Sequence, residues 1–350
     1  MAYDALLTAQ TTDLLDGEEP DTEEIICSHS RISSITALRL ERFTQVARLC
    51  LRQNSIQEIE GLSGLAATLR DLDLYDNLIP HVRGLDDLTE LTSLDLSFNK
   101  IRHIKNISHL TKLRDLYFVA NKISAIDGLS TLTELVSLEL GSNRIRELAN
   151  LDGLTRLEEL WIAKNKITSL AGLASLKSLR LLSAQSNRIR DLDALRDVPS
   201  LEELYISHNA LTSLGGLEAN TNLRVLDVSN NQIASARGLA PLTKLEEFWA
   251  SYNQFADLAE IERELRDKEK LTTVYFEGNP LEQRNPVLYR NKVRLALPQL
   301  KQIDASKFVF SPRPSTSPTL LFRWRPWNLQ DTRNHERISA MLPLPWRSRC

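Results

Sequence analysis

An asparagine recurs along this chain at a constant step of 22 residues. The series begins with Asn77 and Asn99 and continues without interruption to Asn253. Each asparagine closes the phrase Leu-x-x-Leu-x-Leu-x-x-Asn, and outlying phrases end at Asn54 and Asn279, after spacings of 23 and 26 residues. A repeat of this length forms one turn of a solenoid, which is stable only when it stacks on its neighbours. The pattern therefore predicts one elongated domain of eleven clear repeats.

The same phrase predicts the conformation of each turn. Alternating leucines give a short strand with the leucines inward and the intervening side chains on the opposite face. The asparagine side chain can bond the backbone where the chain leaves the strand. A buried isoleucine and a Gly-Leu pair follow, such as Ile167 and Gly172-Leu173, and the few remaining residues favour a 3₁₀ or short helical turn. We predict a leucine-rich-repeat solenoid of the α/β class, with a curved parallel sheet on the concave face and short turns on the convex face.

Composition divides the chain into four segments. Residues 1–24 contain eight acidic side chains and no Lys or Arg, which is typical of a disordered acidic arm. The leucine-rich repeats occupy 25–281. A C-terminal cap follows over 282–305, where the amphipathic segment Tyr289–Leu297 can cover the apolar edge of the last repeat. Residues 306–350 are basic, contain tryptophan and proline, and have no repeat pattern, so a disordered tail is predicted.

The cysteines and the N-terminus favour an intracellular protein. Three cysteines stand at unrelated spacings, and no apolar stretch follows a basic N-terminal segment. Secreted proteins tend to have paired cysteines and a signal peptide, so a reduced compartment and no membrane association are predicted. The net charge of −3 says little, because a near-neutral total can hide charged surfaces of opposite sign.

One column of side chains projects from the middle of the predicted sheet. It consists of the residue between the two strand leucines of each repeat. In chain order the column is Cys50, Asp73, Asp95, Tyr117, Glu139, Trp161, Ser183, Tyr205, Asp227, Trp249 and Tyr275. It is acidic and aromatic and contains no Lys or Arg. Trp and Tyr are enriched in binding hot spots, although such rings can also pack over neighbouring strands. With strands about 4.8 Å apart, the column is long enough for a folded protein partner.

The sequence argues against catalysis, metals and cofactors. The six histidines are scattered and none lies in a Gly-rich phosphate loop. Cys27 and His29 lack two further ligands for a zinc site. An open sheet does not exclude water as a catalytic pocket must. Acidic side chains beside the aromatics would repel phosphates, so nucleic-acid binding is disfavoured, and only the tail is both basic and aromatic.

Several short motifs are more specific than the repeat itself. They are Cys50-Leu-Arg-Gln-Asn54, Leu72-Asp-Leu-Tyr-Asp-Asn77, Leu138-Glu-Leu-Gly-Ser-Asn-Arg-Ile145, Leu204-Tyr-Ile-Ser-His-Asn209, Glu247-Phe-Trp249 and Val274-Tyr-Phe-Glu-Gly-Asn-Pro-Leu281. In this order they resemble the leucine-rich-repeat regulatory subunit of type 1 serine/threonine protein phosphatase. The resemblance covers about residues 25–308.

The resemblance implies a non-catalytic regulatory subunit of the nucleus and cytoplasm. Its concave face would bind the phosphatase catalytic subunit and control its activity, assembly or localisation, with a further phosphatase inhibitor subunit as a second partner. Carried over by motif, the binding residues would be Asp95, Tyr117, Glu139, Trp161, Asp227, Glu247, Trp249 and Tyr275. The family usually has Phe where this chain has Tyr117 and Trp161. A spliceosomal type of leucine-rich-repeat scaffold in an RNA–protein complex is the alternative, because those relatives share the cap.

Overall fold

Fourteen short strands form one sheet across residues 14–307, which are the residues that this computed structural model describes. The strands follow one another in chain order, and every neighbouring pair is parallel except β13 with β14. The strands are β1 Glu24–Ile26, β2 Arg48–Cys50, β3 Asp71–Asp73, β4 Ser93–Asp95, β5 Asp115–Tyr117, β6 Ser137–Glu139, β7 Glu159–Trp161, β8 Leu181–Ser183, β9 Glu203–Tyr205, β10 Val225–Asp227, β11 Glu247–Trp249, β12 Thr273–Tyr275, β13 Gln302–Ile303 and β14 Ser306–Lys307. The predicted solenoid with a parallel sheet is confirmed.

The return segments contain few helices, as the short repeat requires. Short 3₁₀ segments lie at Ile35–Leu38, Leu40–Arg42, Ser63–Leu65 and Asp193–Asp197, and three α-helices follow: α1 Leu258–Leu265, α2 Pro280–Gln283 and α3 Pro286–Ala296. Within residues 14–307, the return segments of the other turns contain no α- or 3₁₀-helix. Helix α1 lies in the one repeat of 26 residues, where four extra residues leave room for it. The Asp257 side chain caps it by accepting a hydrogen bond from the Ala259 N–H at 2.9 Å.

The core is a continuous apolar column rather than a single centre. The middle residue of each strand from β2 to β10 is a fully buried leucine, as at Leu72, Leu94 and Leu116. The isoleucine that stands two positions after most of the asparagines is buried as well, as at Ile101 and Ile123. Because every turn contributes the same few apolar side chains, each turn is stabilised by burial against its two neighbours.

The asparagine of each turn bonds its own turn and the preceding one. Asn143 is typical: its Oδ1 accepts a hydrogen bond from the Ile123 N–H at 2.9 Å. Its Nδ2 donates to the carbonyls of Phe118 at 2.8 Å, Leu140 at 3.1 Å and Gly141 at 3.2 Å. The same arrangement is seen at Asn99, Asn121 and Asn165, for example, so the predicted bonding of the asparagine side chains to the backbone is confirmed. We call this series of hydrogen bonds from turn to turn the asparagine ladder.

The residue before each of these asparagines has a left-handed backbone conformation. Phe98, Ala120 and Ser142 have φ angles of 55°, 54° and 56°, and the same position in the other repeats behaves alike. This conformation costs a residue with a Cβ about 1–2 kcal/mol. The sharp turn that it makes brings the asparagine side chain under the strand, where several hydrogen bonds offset the cost. Nothing in the sequence pattern predicted it.

The C-terminal cap closes the last turns. Helix α3 buries Tyr289 and Val293, and its observed start at Pro286 is three residues earlier than the predicted amphipathic segment. Buried Asp304 accepts hydrogen bonds from the backbone N–H groups of Phe276 and Glu277 at 2.9 and 3.1 Å. Strand β14 pairs with β13 and begins at the residue directly after the predicted cap, 282–305.

The two chain ends are only partly described. Residues 14–24 lie against the first turn rather than in a free acidic arm: Leu15 is buried in the core, and the Ala47 N–H donates to the Glu23 carbonyl at 2.8 Å. The chain divides into two units, Met1–Phe308 and Val309–Cys350. The second unit holds nearly all of the predicted tail, 306–350. That unit, Phe308 and residues 1–13 lie outside the described residues.

We expect Asn143→Ala to destabilise the solenoid by about 1–3 kcal/mol, because it leaves buried backbone donors and acceptors without partners. Urea unfolding followed by circular dichroism measures the loss. Asn222→Ala is the matched control, since the Asn222 amide bonds only exposed groups, Pro199 O and Lys244 Nζ. Equal stability of the two variants would contradict a structural role for the ladder.

Gly172→Ala should also destabilise the fold, by about 1–3 kcal/mol. Gly172 has a φ of +99°, and an added Cβ would lie 1.8 Å from the Leu148 carbonyl oxygen, so the backbone would have to move. Gly141→Ala is the control, because its Cβ would meet no atom closer than 3.5 Å. A melting temperature of Gly172→Ala equal to that of the control would show that the two turns are not tightly stacked.

Candidate partner-binding face

The parallel register brings the predicted binding residues together in two groups. In the first group, Asp95 lies beside Tyr117, Tyr117 beside Glu139, and Glu139 beside Trp161, on strands β4 to β7. In the second, Asp227 lies beside Trp249 and Trp249 beside Tyr275, on β10 to β12, with Glu247 on the same strand as Trp249. Strands β8 and β9 separate the two groups. We call this surface the concave face.

The second group is built around Trp249. Its ring centroid lies 5.7 Å from that of Tyr275, with an angle of 68° between the rings. It lies 6.1 Å from the Tyr205 ring at 61°. Edge-to-face packing of this kind holds the rings in fixed orientations. Tyr205 belongs to the column read from the sequence but was not among the residues carried over from the family. The structure adds it to this aromatic cluster of Tyr205, Trp249 and Tyr275.

A glutamate two residues before each of three aromatic side chains orients the ring. Trp249 Nε1 donates to Glu247 Oε2 at 2.9 Å, and the Tyr205 hydroxyl donates to Glu203 Oε2 at 2.8 Å. Trp161 Nε1 donates in the same way to the glutamate at position 159, at 3.3 Å. Residues two apart on a strand project from the same face, so Glu-x-aromatic is a sequence signal that would have found these pairs.

Aspartates of the column also shape the backbone. Oδ1 of Asp95 accepts a hydrogen bond from the Ser97 N–H at 2.8 Å, and Oδ1 of Asp227 accepts one from the Ser229 N–H at 2.9 Å. Such a bond from a side chain to the backbone two residues on is typical of a turn. Both side chains are buried, at 5% and 7% exposure. Their carboxylates therefore stabilise the turn after the strand as well as lining the face.

One arginine compensates charge at the N-terminal end of the face. Arg52 Nε lies 3.1 Å from Asp73 Oδ2, and its Nη2 lies 3.9 Å from Asp95 Oδ2. The guanidinium also stacks over the Tyr75 ring, 4.4 Å from its centroid. Burial raises the pKa of the Asp73 carboxyl, and the like charge of Asp95 raises it further, while Arg52 opposes the rise.

Glu139 is the most unusual carboxyl of the face. It is only 2% exposed, and among residues 14–307 its Oε2 has no hydrogen-bond partner. Burial raises the pKa of Glu139 well above the usual range of a glutamate, and nearby carboxylates, that of Asp95 first among them, raise it further. Burial likewise raises the pKa values of Asp95 and Asp227. The face therefore holds acidic groups that an incoming cation would stabilise in their charged form.

The described residues contain neither a cluster of metal ligands nor a membrane-spanning helix. Across 14–307, no three His, Cys, Asp or Glu side chains are grouped so as to hold a metal ion. Over the same residues, no helix combines the length and apolar character needed to cross a membrane.

Comparison with known families supports the repeat assignment. A family model described as "Leucine Rich repeats (2 copies)" matches five overlapping windows between residues 133 and 263, and a single-repeat model matches residues 88–102. An internalin from Listeria monocytogenes has a TM-score of 0.65 and 25% identity, over 82% of this chain and 87% of its own.

Two relatives are more similar in sequence over shorter segments. A protein phosphatase 1 regulatory subunit of Saccharomyces cerevisiae is 49% identical over 94 residues, 26% of this chain and 28% of that protein. Its counterpart in Schizosaccharomyces pombe is 70% identical over 47 residues, 13% of this chain and 14% of that protein. The chain thus spans less than a third of the length of these relatives. The resemblance predicted from the motifs is confirmed over these segments: this chain is a leucine-rich-repeat protein similar to regulatory subunits of protein phosphatase 1.

Proposed function

We propose that this chain is a non-catalytic regulatory subunit that binds the catalytic subunit of type 1 protein phosphatase through its concave face. The observation that carries the proposal is the row of acidic and aromatic side chains held in register across β4 to β12. The similarity to protein phosphatase 1 regulatory subunits of two yeasts supports it. In this proposal the chain acts on phosphoesters only through its partner, by controlling the activity, assembly or localisation of the catalytic subunit in the nucleus and cytoplasm.

The aromatic cluster is suited to bury against a protein surface. Large rings that are already oriented lose little conformational freedom on binding, so more of their contact energy appears as affinity. The glutamates that hold them carry negative charge next to an apolar surface. A complementary partner surface would combine basic side chains with apolar ones. We propose that the catalytic subunit presents such a surface, including a basic side chain that reaches Glu139.

Identification of the bound partner tests the proposal directly. The tagged chain, isolated from its source cell, should retain a phosphatase catalytic subunit and should also bind that subunit when both are purified. Recovery of small nuclear RNA with its proteins, without the phosphatase, would favour the RNA–protein scaffold instead. A further inhibitor subunit would be found in the same material as a third component.

Trp249→Ala should weaken binding of the phosphatase catalytic subunit by at least about 2 kcal/mol, because truncating a central aromatic side chain typically has an effect of this size. Glu247→Gln should weaken it less, since Gln can still accept the Trp249 hydrogen bond but carries no charge. Isothermal titration calorimetry measures both. Tyr252→Ala is the aromatic control, because Tyr252 is half exposed and lies outside the column. If a folded Trp249→Ala variant bound the catalytic subunit as tightly as the parent does, the interface would have to lie elsewhere.

We expect Glu139→Gln to stabilise the fold at raised pH and, at the same time, to weaken binding of the catalytic subunit. A glutamate whose folded pKa is raised contributes stability that is present below its ordinary pKa near 4.5 and is lost as the pH rises through the folded value. The parent should therefore lose stability relative to Glu139→Gln as the pH rises from about 4.5 through neutrality, and the two should converge at low pH. Urea unfolding across this range measures the difference.

The same variant should bind the catalytic subunit at least about tenfold more weakly, because removing one partner of a buried charge pair is costly. Glu58→Gln, at an exposed position, is the control for both measurements. A variant that is neither more stable at pH 8 nor weaker in binding would contradict the role assigned to Glu139.

A further inference from the structure

A second charged surface lies along the edge of the solenoid that follows the asparagines. In five consecutive turns the residue directly after the asparagine is basic, and in three of them the residue two positions further is an arginine. These eight residues, which we call the basic edge, are Lys100, Arg102, Lys122, Arg144, Arg146, Lys166, Arg188 and Arg190. Six are exposed and two are half-buried.

The backbone holds the basic edge at a regular spacing. The Lys122 N–H donates to the Ile101 carbonyl of the preceding turn at 2.8 Å, and the Arg144 N–H donates to the Ile123 carbonyl at 2.8 Å. The equivalent bonds recur at the three other turns. The hydrogen bonds of the asparagines fix the backbone on either side of each of these basic residues. The five residues directly after the asparagines form one column of the basic edge, and the three arginines form a second. With about 4.8 Å between turns, the column of five residues is a rigid row of roughly 19 Å.

The side chains of the basic edge form no ion pairs among the described residues, in contrast to several basic side chains on the opposite edge. Before the strands, basic side chains pair with glutamates of neighbouring turns, as in Lys112 with Glu90 at 2.6 Å and Arg224 with Glu246 at 3.0 Å. Three further cations of that edge, at positions 70, 156 and 180, are paired in the same way. Within residues 14–307, no carboxylate lies within ion-pair distance of any member of the basic edge. Ion pairs between turns are therefore frequent on one edge and absent among these residues of the other.

We propose that the basic edge binds an extended acidic segment of a protein partner. In an extended chain, side chains on one face repeat at roughly 6.6 Å, a spacing that long and flexible Lys and Arg side chains can follow. About six extended residues span the row. An acidic segment would be repelled by the concave face, so this site is distinct from the one proposed above.

Other anionic ligands fit the edge less well. Single-stranded nucleic acid is held by aromatic stacking as well as by cations, and neither column of the basic edge contains an aromatic residue. A membrane surface would require apolar side chains beside the cations, whereas the isoleucines between them are buried, as at Ile123 and Ile145. Each exposed ion pair contributes only about 0.2–1 kcal/mol, so binding should need several contacts and should weaken strongly with salt.

Fluorescence anisotropy of a labelled hexaglutamate peptide tests the proposal on the full chain at low ionic strength. The triple variant Lys122→Gln, Arg144→Gln, Lys166→Gln should bind the peptide at least about tenfold more weakly, given three lost contacts. A second triple, Arg102→Gln, Arg146→Gln, Arg190→Gln, should also weaken binding. The matched control, Arg284→Gln, Lys292→Gln, Lys301→Gln, removes the same charge from exposed positions of the cap and should stay within about twofold of the parent.

Because basic residues also occur beyond residue 307, the difference between the edge variants and the control is the decisive quantity. Melting curves establish that all three triples are folded. Absence of peptide binding by the parent, or equal losses in edge and control variants, would overturn the proposal. Tighter binding of a hexauridylate of similar charge would overturn it in favour of a nucleic-acid site.

Discussion

The hydrogen bonds of one buried asparagine per turn are the interaction on which the rest of the structure depends. A strand of three residues cannot hold two neighbouring turns by itself, because it contributes few ladder bonds. Asn143 adds bonds to the backbone of the preceding turn at Phe118 and Ile123 and to its own turn at Leu140. The left-handed residue before each asparagine is tolerated for the same reason. Stacking therefore propagates from turn to turn, and the spacing of every surface column follows from it.

That rigid spacing gives the concave face and the basic edge their different properties. On the face, residues two apart point the same way, so Glu247 and Trp249 form a unit within one strand. On the edge, successive turns repeat a basic residue after the asparagine, so Lys122 and Arg144 become neighbours in space although 22 residues separate them. A net charge of −3 thus conceals an acidic and a basic surface on the same scaffold. Such segregation favours partners of opposite charge at the two surfaces rather than one charged ligand covering both.

Much of the architecture could be predicted from the sequence because the repeat translates directly into geometry. The strands, the buried leucines, the asparagine bonds and the membership of the outward column all follow from a constant step and the alternation of a strand. Features that depend on local departures from the repeat could not be predicted from the sequence. Helix α1 lies in a repeat that is four residues longer than most of the others, and residues 14–24 dock through Leu15, which composition alone placed in a disordered arm. The left-handed residues vary in type from Phe98 to Lys164, so no side-chain pattern marks them.

The details of the candidate site were predictable only in part, because chemistry depends on environment as well as on position. The column identified Glu139 as outward-facing, and an outward glutamate on a sheet would ordinarily be solvated and charged. Its burial between Tyr117 and Trp161, with an unpartnered oxygen among the described residues, could not be inferred from spacing. A glutamine there would avoid the free energy of charging a buried acid, and the asparagine ladder does not use the Glu139 side chain. The basic side chain of the partner that we propose would compensate this buried charge, which is why Glu139, rather than the structurally engaged Asp95 or Asp227, is the most informative acidic residue for testing the face.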